Sequence, residues 1–351
     1  DWNESIWTQD ILTYETKFND DLDGDGNKGR DFTSLTTVST DTTGDLLQKD
    51  SSGGFFIKTE AGNYLSISED WGGIAELDYS HTWSGGSGSS TAIAAEDATY
   101  TDINGTTVNG FAIAVKITGT SGDNTWEDWT IKYTDSNGVI DGNNQPWMQS
   151  IMSKESIFGQ DLDGDGSTGL DASKLTTAKD SEGTVTDTTG DLLKRDNSNS
   201  LYIVDDKDTS DTSDDTTIAI VDERGGSPNF DYKETWGSNT FESSAYAIES
   251  FTDSSDSDKK KFLLAIKSSD TYGGQKNTNW QTLDISETGV IDWSSSASSQ
   301  SIAKKESVFN QDMDGDGAQF DASNITTTAV TTDTSSTGTT GVALSKDSLG
   351  A

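Results

Sequence analysis

The strongest constraint on this chain is an acidic motif that occurs three times. It reads Glu15-Thr-Lys-Phe18-Asn-Asp-Asp21-Leu-Asp23-Gly-Asp25-Gly26, then Glu155-Ser-Ile-Phe158-Gly-Gln-Asp161-Leu-Asp163-Gly-Asp165-Gly166, then Glu306-Ser-Val-Phe309-Asn-Gln-Asp312-Met-Asp314-Gly-Asp316-Gly317. Three carboxylates brought within about 5 Å of one another repel strongly unless a cation lies among them. Aspartates at loop positions 1, 3 and 5 with a glycine at 6 form the front half of a calcium loop. The candidate ligands are therefore Asp21, Asp23 and Asp25; Asp161, Asp163 and Asp165; and Asp312, Asp314 and Asp316. Position 7 would offer a backbone carbonyl, from Asn27, Ser167 or Ala318, and a carbonyl needs no particular side chain.

The closing ligand departs from the pattern. Phe32 and Ala172 stand where a bidentate glutamate is expected, so Asp31 and Asp171, one position earlier, become the candidates. In the third loop, one residue shorter, it is Asp321. The predicted cofactor is Ca2+, about three ions, held in the ~10⁻⁴–10⁻³ M range of extracellular sites because no strong bidentate glutamate closes the loop. Magnesium suits the motif less, since it demands tighter octahedral geometry and keeps its waters.

Other segments recur with the motif. Thr42-Thr-Gly44-Asp-Leu-Leu47 matches Thr188-Thr-Gly190-Asp-Leu-Leu193; Asp78-Tyr79 with Trp83 matches Asp231-Tyr232 with Trp236; Gly110-Phe-Ala-Ile-Ala-Val-Lys116 matches Lys261-Phe-Leu-Leu-Ala-Ile-Lys267. Trp129 with Gly138-Val-Ile-Asp141 matches Trp280 with Gly289-Val-Ile-Asp292. The chain reads as tandem units of roughly 150 residues, a string of domains rather than a thin solenoid. Residues 1–18 are expected to be the helical tail of a preceding unit, 19–147 a first β unit, 148–298 a second unit, and 299–351 part of a third.

Within a unit, short alternating apolar runs are separated by Gly, Asn, Asp and Ser. Phe55–Thr59 and Asn63–Ile67 predict a hairpin; Ile74–Trp83, Thr91–Glu96, Phe111–Thr118 and Trp126–Thr134 predict further strands, the last ending at Asp135-Ser-Asn-Gly138. Leu201–Ile291 repeats the pattern. Apolar residues at three- and four-residue spacing predict short helices over Ile11–Phe18, Met148–Phe158 and Ser299–Phe309. Ser84–Ser90, Asp205–Asp215 and Asp253–Asp258 read as lengthened turns, and Thr326–Thr340 as loop. The expected class is mainly β: tandem units, each a short helix, a calcium loop and an antiparallel β sheet or sandwich.

Composition narrows the function. There are 61 acidic and 23 basic side chains among 351 residues, a net charge of −38, with 30% hydrophobic residues. That apolar share is low against the usual ~45–50%, a figure that also counts glycine. Such a field repels nucleic acid, and no basic patch offsets it. Without cysteine there is no disulfide, thiolate zinc site or cysteine nucleophile. The single histidine, His81, aligns with Glu234 and leaves little for a serine–histidine relay. No apolar run reaches the ~18–20 residues of a membrane span. The start at Asp1, with neither Met nor a signal peptide, reads as a mature product or an excised fragment. High charge with low hydrophobicity resembles a disordered chain. The 10 Trp, 12 Phe and 9 Tyr, regularly spaced, point instead to a folded chain neutralised by divalent cations and salt.

Ala95-Glu96, the Gly110-Phe111…Ala114-Val-Lys116 strand, Trp129…Asp135-Ser-Asn-Gly138 and Glu155…Gly166 together resemble the repeat of very large secreted bacterial proteins. In that family it often lies beside hemolysin-type, RTX-like calcium-binding sequences of adhesin or surface-layer relation. The second unit keeps Glu249, Phe262…Ala265-Ile-Lys267, Trp280 and Gly289 but loses the Asp-Ser-Asn turn. The resemblance spans nearly the whole chain. It implies export, by a one-step type I route, to the extracellular space or bacterial cell surface, and no known enzymatic activity. The RTX nonapeptide itself is missing, so a parallel β-roll is not expected.

The leading expectation is a non-catalytic, calcium-stiffened structural protein: adhesin stalk, surface-layer or filament component. Its expected partners are calcium and further copies or neighbouring repeats of a longer chain. One alternative is a carbohydrate-binding module using exposed tryptophans. Trp83/Trp236 and Trp129/Trp280, being repeated, read as core anchors, and Trp71 and Trp147, lacking partners, as exposed. Another alternative is a secreted hydrolase with paired carboxylates, although no pair stands out beyond the acidic motif. Glu96/Glu249 and Lys116/Lys267 are expected to form cross-strand ion pairs.

Overall fold

The computed structural model describes residues 15, 18–22, 32–180, 183–207, 209, 211–252, 259–315, 317, 328–329 and 345–346. The expectations for Asp23, Asp25, Asn27, Asp31, Asp316, Ala318 and Asp321, for the Asp253–Asp258 turn and for most of Thr326–Thr340 lie outside the described residues. The fold is mainly β, and its large sheets are antiparallel.

The chain divides into two compact units. The first is Asp1–Leu175 with Asp196–Ser200 and Val221–Pro228; the second is Thr176–Arg195, Leu201–Ile220 and Asn229–Ala351. In the first, β1 (Thr36–Thr37), β2 (Leu46–Lys49), β3 (Phe55–Lys58) and β4 (Tyr64–Ser66) form a four-stranded meander. A five-stranded meander follows: β5 (Tyr79–Trp83), β6 (Gly86–Thr101), β7 (Thr107–Ser121), β8 (Asn124–Asp135) and β9 (Trp147–Met148). The second unit has the same order, with β10 (Thr176–Thr177), β11 (Leu192–Arg195), β12 (Leu201–Asp205) and β13 (Thr216–Ala219) in one sheet. Its other sheet is β14 (Tyr232–Trp236), β15 (Asn239–Thr252), β16 (Lys260–Tyr272), β17 (Gln275–Ser286) and β18 (Ile291–Ser299).

Period-two alternation explains the layering. Along β7, Ile113 and Val115 join Leu47, Phe55 and Ile57 in the core between the two sheets. Ala112 and Ala114 point the other way, to Trp129, Met148, Ile151 and Phe158. The central strands are therefore covered on both faces, by the smaller sheet on one side and by the helix Glu155–Phe158 on the other. In the second unit Phe262, Leu264 and Ile266 face Leu193 and Ile203, while Leu263 and Ala265 meet Trp280, Ile302 and Phe309. Small alanines on the helix side leave room for the large indole and phenyl groups.

Register shifts interrupt the long strands at Ala92/Ala94 and at Ala245/Ala247. At each, the carbonyl of the extra residue takes a hydroxyl proton from the small sheet's first loop: Thr40 Oγ1 donates to Ile93 O at 2.7 Å, and Thr186 Oγ1 to Tyr246 O at 2.5 Å. The bulge thus locks the two layers together rather than leaving an unpaired carbonyl.

Several expectations change. Ile74–Trp83 is not one strand; β5 begins at Tyr79, and Ser84–Ser90 is a tight turn followed by the start of β6. Strands β6 to β8 are far longer than the apolar runs, because Ser, Thr and Gly carry the ladder past the covered core. Trp129 and Trp280 are core anchors, at 1% and 3% exposed, but Trp83 and Trp236 are not, at 44% and 47%. Trp71 and Trp147 are exposed as expected. The helix reaches only from Glu155 to Phe158, after a 3₁₀ turn at Met152–Lys154, since Trp147–Met148 pairs with β8 instead. It docks on the sheet that precedes it in sequence, within the compact unit that runs to Leu175.

Candidate metal centres

Each acidic loop begins where a helix is stopped. The residue after the phenylalanine is left-handed in all three copies: Asn19 (φ 52°), Gly159 (φ 61°) and Asn310 (φ 51°). Gly and Asn adopt this conformation most readily, so the helix ends there and the chain turns into the loop. Phe158 and Phe309, both fully buried, pin the helix to its sheet.

The glutamate that opens the motif lies beneath the loop. Glu155 is fully buried; its Oε1 accepts from the backbone N–H groups of Leu162 (2.7 Å) and Asp163 (3.0 Å), and its Oε2 from Gly169 (3.0 Å). Glu306 accepts from Met313 (2.9 Å) and Asp314 (3.2 Å), and Glu15 from Leu22 (2.7 Å). One side chain therefore supplies several acceptors that the short helix cannot. Burial pushes the Glu155 and Glu306 carboxyls up, against these hydrogen bonds.

Above it, Asp161 accepts from Gly164 (2.7 Å) and Gly166 (2.9 Å), which have φ of 82° and 91° and let the chain coil around the carboxylate. Asp312 makes the same bonds to Gly315 (2.8 Å) and Gly317 (2.9 Å). Asp163 accepts from Asp165 N (2.9 Å), and Asp165 Oδ1 from Ser167 N (2.7 Å). Burial, with the charges of Asp165 and Asp161, raises the Asp163 carboxyl.

The structure gathers Glu155, Asp161 and Asp163 with one oxygen of each within 4.8 Å of the others, and likewise Glu306, Asp312 and Asp314. Asp165 Oδ2 is buried with no hydrogen-bond partner among the described residues. Asp171 instead caps the 3₁₀ turn Ala172–Lys174, accepting from Ser173 N (2.9 Å), and takes the Ser167 hydroxyl at 3.0 Å; these Ser173 and Ser167 bonds hold its carboxyl low. Asp21 lies in the described part of the first loop, beside the Glu15–Leu22 bond. The donors are all hard oxygen, the set that suits calcium rather than softer metals. Sequence reasoning left the glutamate out of the candidate carboxylate set; its fixed place six residues before the first aspartate was the available signal.

A second set of carboxylates joins the two sheets of each unit. Asp41 Oδ2 accepts from Leu47 N (2.5 Å) in the small sheet and Ala95 N (3.1 Å) in the large one; Asp187 does the same with Leu193 (2.7 Å) and Ile248 (3.1 Å). Glu96 accepts from Asp45 N (3.1 Å), and Glu249 from Asp191 N (3.3 Å). The expected ion pair with the strand lysines is not formed. Glu96 is opposite Ala112, while Lys116 pairs with Glu127 (2.8 Å) and sits 5.2 Å over Trp129. Lys267 lies 5.1 Å over Trp280. Comparison with known protein families, curated proteins and solved structures gave no match.

Proposed function

We propose that this chain is a non-catalytic, calcium-binding structural protein of the bacterial cell exterior, of the stalk, surface-layer or filament kind. One observation carries the reading. In the loop after Phe158 a buried glutamate holds the backbone, three carboxylates converge, and Asp165 Oδ2 is buried without a partner. Glu155, Asp161, Asp163 and Asp165 would hold the ion, and the matching residues of the other two loops would hold theirs. The ion supplies positive charge that the side chains lack. Three divalent ions would bring the net charge from −38 to −32.

The shared strand order of the two units supports tandem repeats of about 150 residues. The resemblance to secreted RTX-like repeat proteins supports export and a surface location. No helix among the described residues is long and apolar enough to cross a membrane. Limited proteolysis in millimolar CaCl2 and in EGTA tests the proposal: protection by calcium is expected, and equal resistance in both sinks it.

A second reading rests on Tyr79, His81 and Trp83, which line one exposed strand with ring centroids 5.8 and 4.9 Å apart. Such a row suits stacking on a glycan. Binding on a glycan array in calcium buffer would favour it; silence leaves the structural reading.

A further inference from the structure

We propose that the first unit binds a neutral polysaccharide of flat pyranose rings, of the β-glucan kind, on the outer part of its large sheet. This rests on the glycan reading of Tyr79, His81 and Trp83 and gives it a wider surface and a ligand class. The face of β7 that turns Ile113 and Val115 into the core continues through Ile117 to Gly119. There the register aligns one residue from each of four strands: His81 with Gly88, Gly88 with Gly119, and Gly119 with Trp126. Paired residues share a face, so aromatic rings flank two bare backbones. A Cβ at Gly119 would fall 2.2 Å from the Trp126 ring, one at Gly86 2.6 Å from Trp83, and one at Gly88 3.1 Å from His81. Glycine therefore lets the rings lie down on the sheet and form a flat floor. Asp128, on the same face two residues past Trp126, accepts a hydrogen bond from the Trp147 side chain, which adds a further ring. Tyr79, Trp83, Trp126 and Trp147 are between 37% and 51% exposed, so each presents ring surface to solvent.

The chemistry of this floor selects its occupant. Its exposed large side chains are aromatic, with indole, imidazole and phenol groups at their rims. A pyranose with equatorial hydroxyls matches that: its C–H faces stack on rings, and its hydroxyls meet the polar rims. The net charge of −38 repels polyanions, and no carboxylate stands in the line from His81 to Trp126 to hold a cation. A neutral ligand is left. The second unit provides the contrast, since its matching line is Glu234, Phe241, Asp270 and Asn277. Phe241 stands in the place of Gly88, and carboxylates stand in the places of His81 and Gly119. Tyr232 Oη donates to Glu234, and Asn277 Nδ2 donates to Asp270 at 3.1 Å. The second unit keeps Tyr232 and Trp236 on its edge strand but has no glycine floor between β14 and β17.

The test is calorimetric titration of the full chain, in millimolar CaCl2, with hydroxyethyl cellulose and with carboxymethyl cellulose, which share one backbone and differ in charge. Binding to the neutral polymer is expected, with much weaker binding to the anionic one. Trp126 and Trp147 are exposed, so each can be replaced by alanine with the fold checked by circular dichroism. Trp126→Ala and Trp147→Ala should each weaken binding roughly tenfold, while Trp236→Ala in the second unit leaves it unchanged. Equal affinity for the two polymers overturns the neutral ligand class. Wild-type affinity in Trp126→Ala and Trp147→Ala, with loss in Trp83→Ala, overturns the wider surface and leaves the row of Tyr79, His81 and Trp83 standing. Binding to neither polymer overturns this proposal, and a silent glycan array then removes the row's reading as well. A dimer in sedimentation that Trp126→Ala abolishes gives the face to a second copy and overturns the proposal too.

Discussion

Glu155 does at one position what a longer helix end would spread over several residues. It is buried, and it accepts three N–H groups. Glu155→Gln keeps its size but turns one acceptor into a donor facing N–H groups. The expected cost is about 1–3 kcal/mol by chemical denaturation, with weaker calcium affinity in the same loop. The joint carboxylates set a pH dependence. Burial raises Asp187 from 3.8 to about 7 and Glu249 from 4.5 to about 8, the latter with help from Asp191. The folded state therefore favours their protonated forms. Below about pH 4 they are protonated folded or unfolded and make no difference. As pH rises toward 8, the unfolded chain ionises first and the fold loses stability, on the order of a few kcal/mol. In calcium-free buffer Tm should fall between pH 5 and 8, and Asp187→Asn or Glu249→Gln should flatten that slope.

The helix Glu155–Phe158 is too short to persist alone, since isolated helices under ~12 residues are marginal. Its existence depends on Phe158 in the pocket made by Ala94, Ala112, Ala114 and Trp129. Phe158→Ala should cost about 3–5 kcal/mol and free the loop it anchors. Hydrogen exchange should show lost protection at Leu162, Asp163 and Gly169 before β6 and β7 are affected. Full protection there would mean that Glu155 alone holds the loop. The hairpins were readable because their signals are local: in Asp135-Ser-Asn-Gly138 the carboxylate accepts from Asn137 (2.8 Å) and Val139 (2.9 Å), and glycine takes φ 81°. The helix's partner was not readable, because Thr42 and Gln160, which tie it in, are 118 residues apart.

Across the whole molecule the net charge of −38 opposes compactness. Salt screens it over about 10 Å at 0.1 M, while calcium held in the acidic loops, as proposed, would remove charge at fixed points. In EGTA, Tm should rise steeply as NaCl goes from roughly 0.05 to 0.5 M, and in millimolar calcium the rise should be shallower. Equal slopes would show that the loops do not carry the ions that neutralise the chain.

The sequence by itself determined the acidic motifs, the β-rich class and local turns such as Asp135-Ser-Asn-Gly138, because each depends on neighbours a few residues away. It also determined that Trp129 and Trp280 are buried, since each lies in a strand of alternating apolar residues. Tertiary structure alone decided which sheet the helix covers, that Glu155 supports the loop from below, and that Asp45 and Glu96 meet. Those outcomes depend on pairings across tens of residues, such as Asp45 with Glu96, whose energy exists only once two sheets are packed face to face.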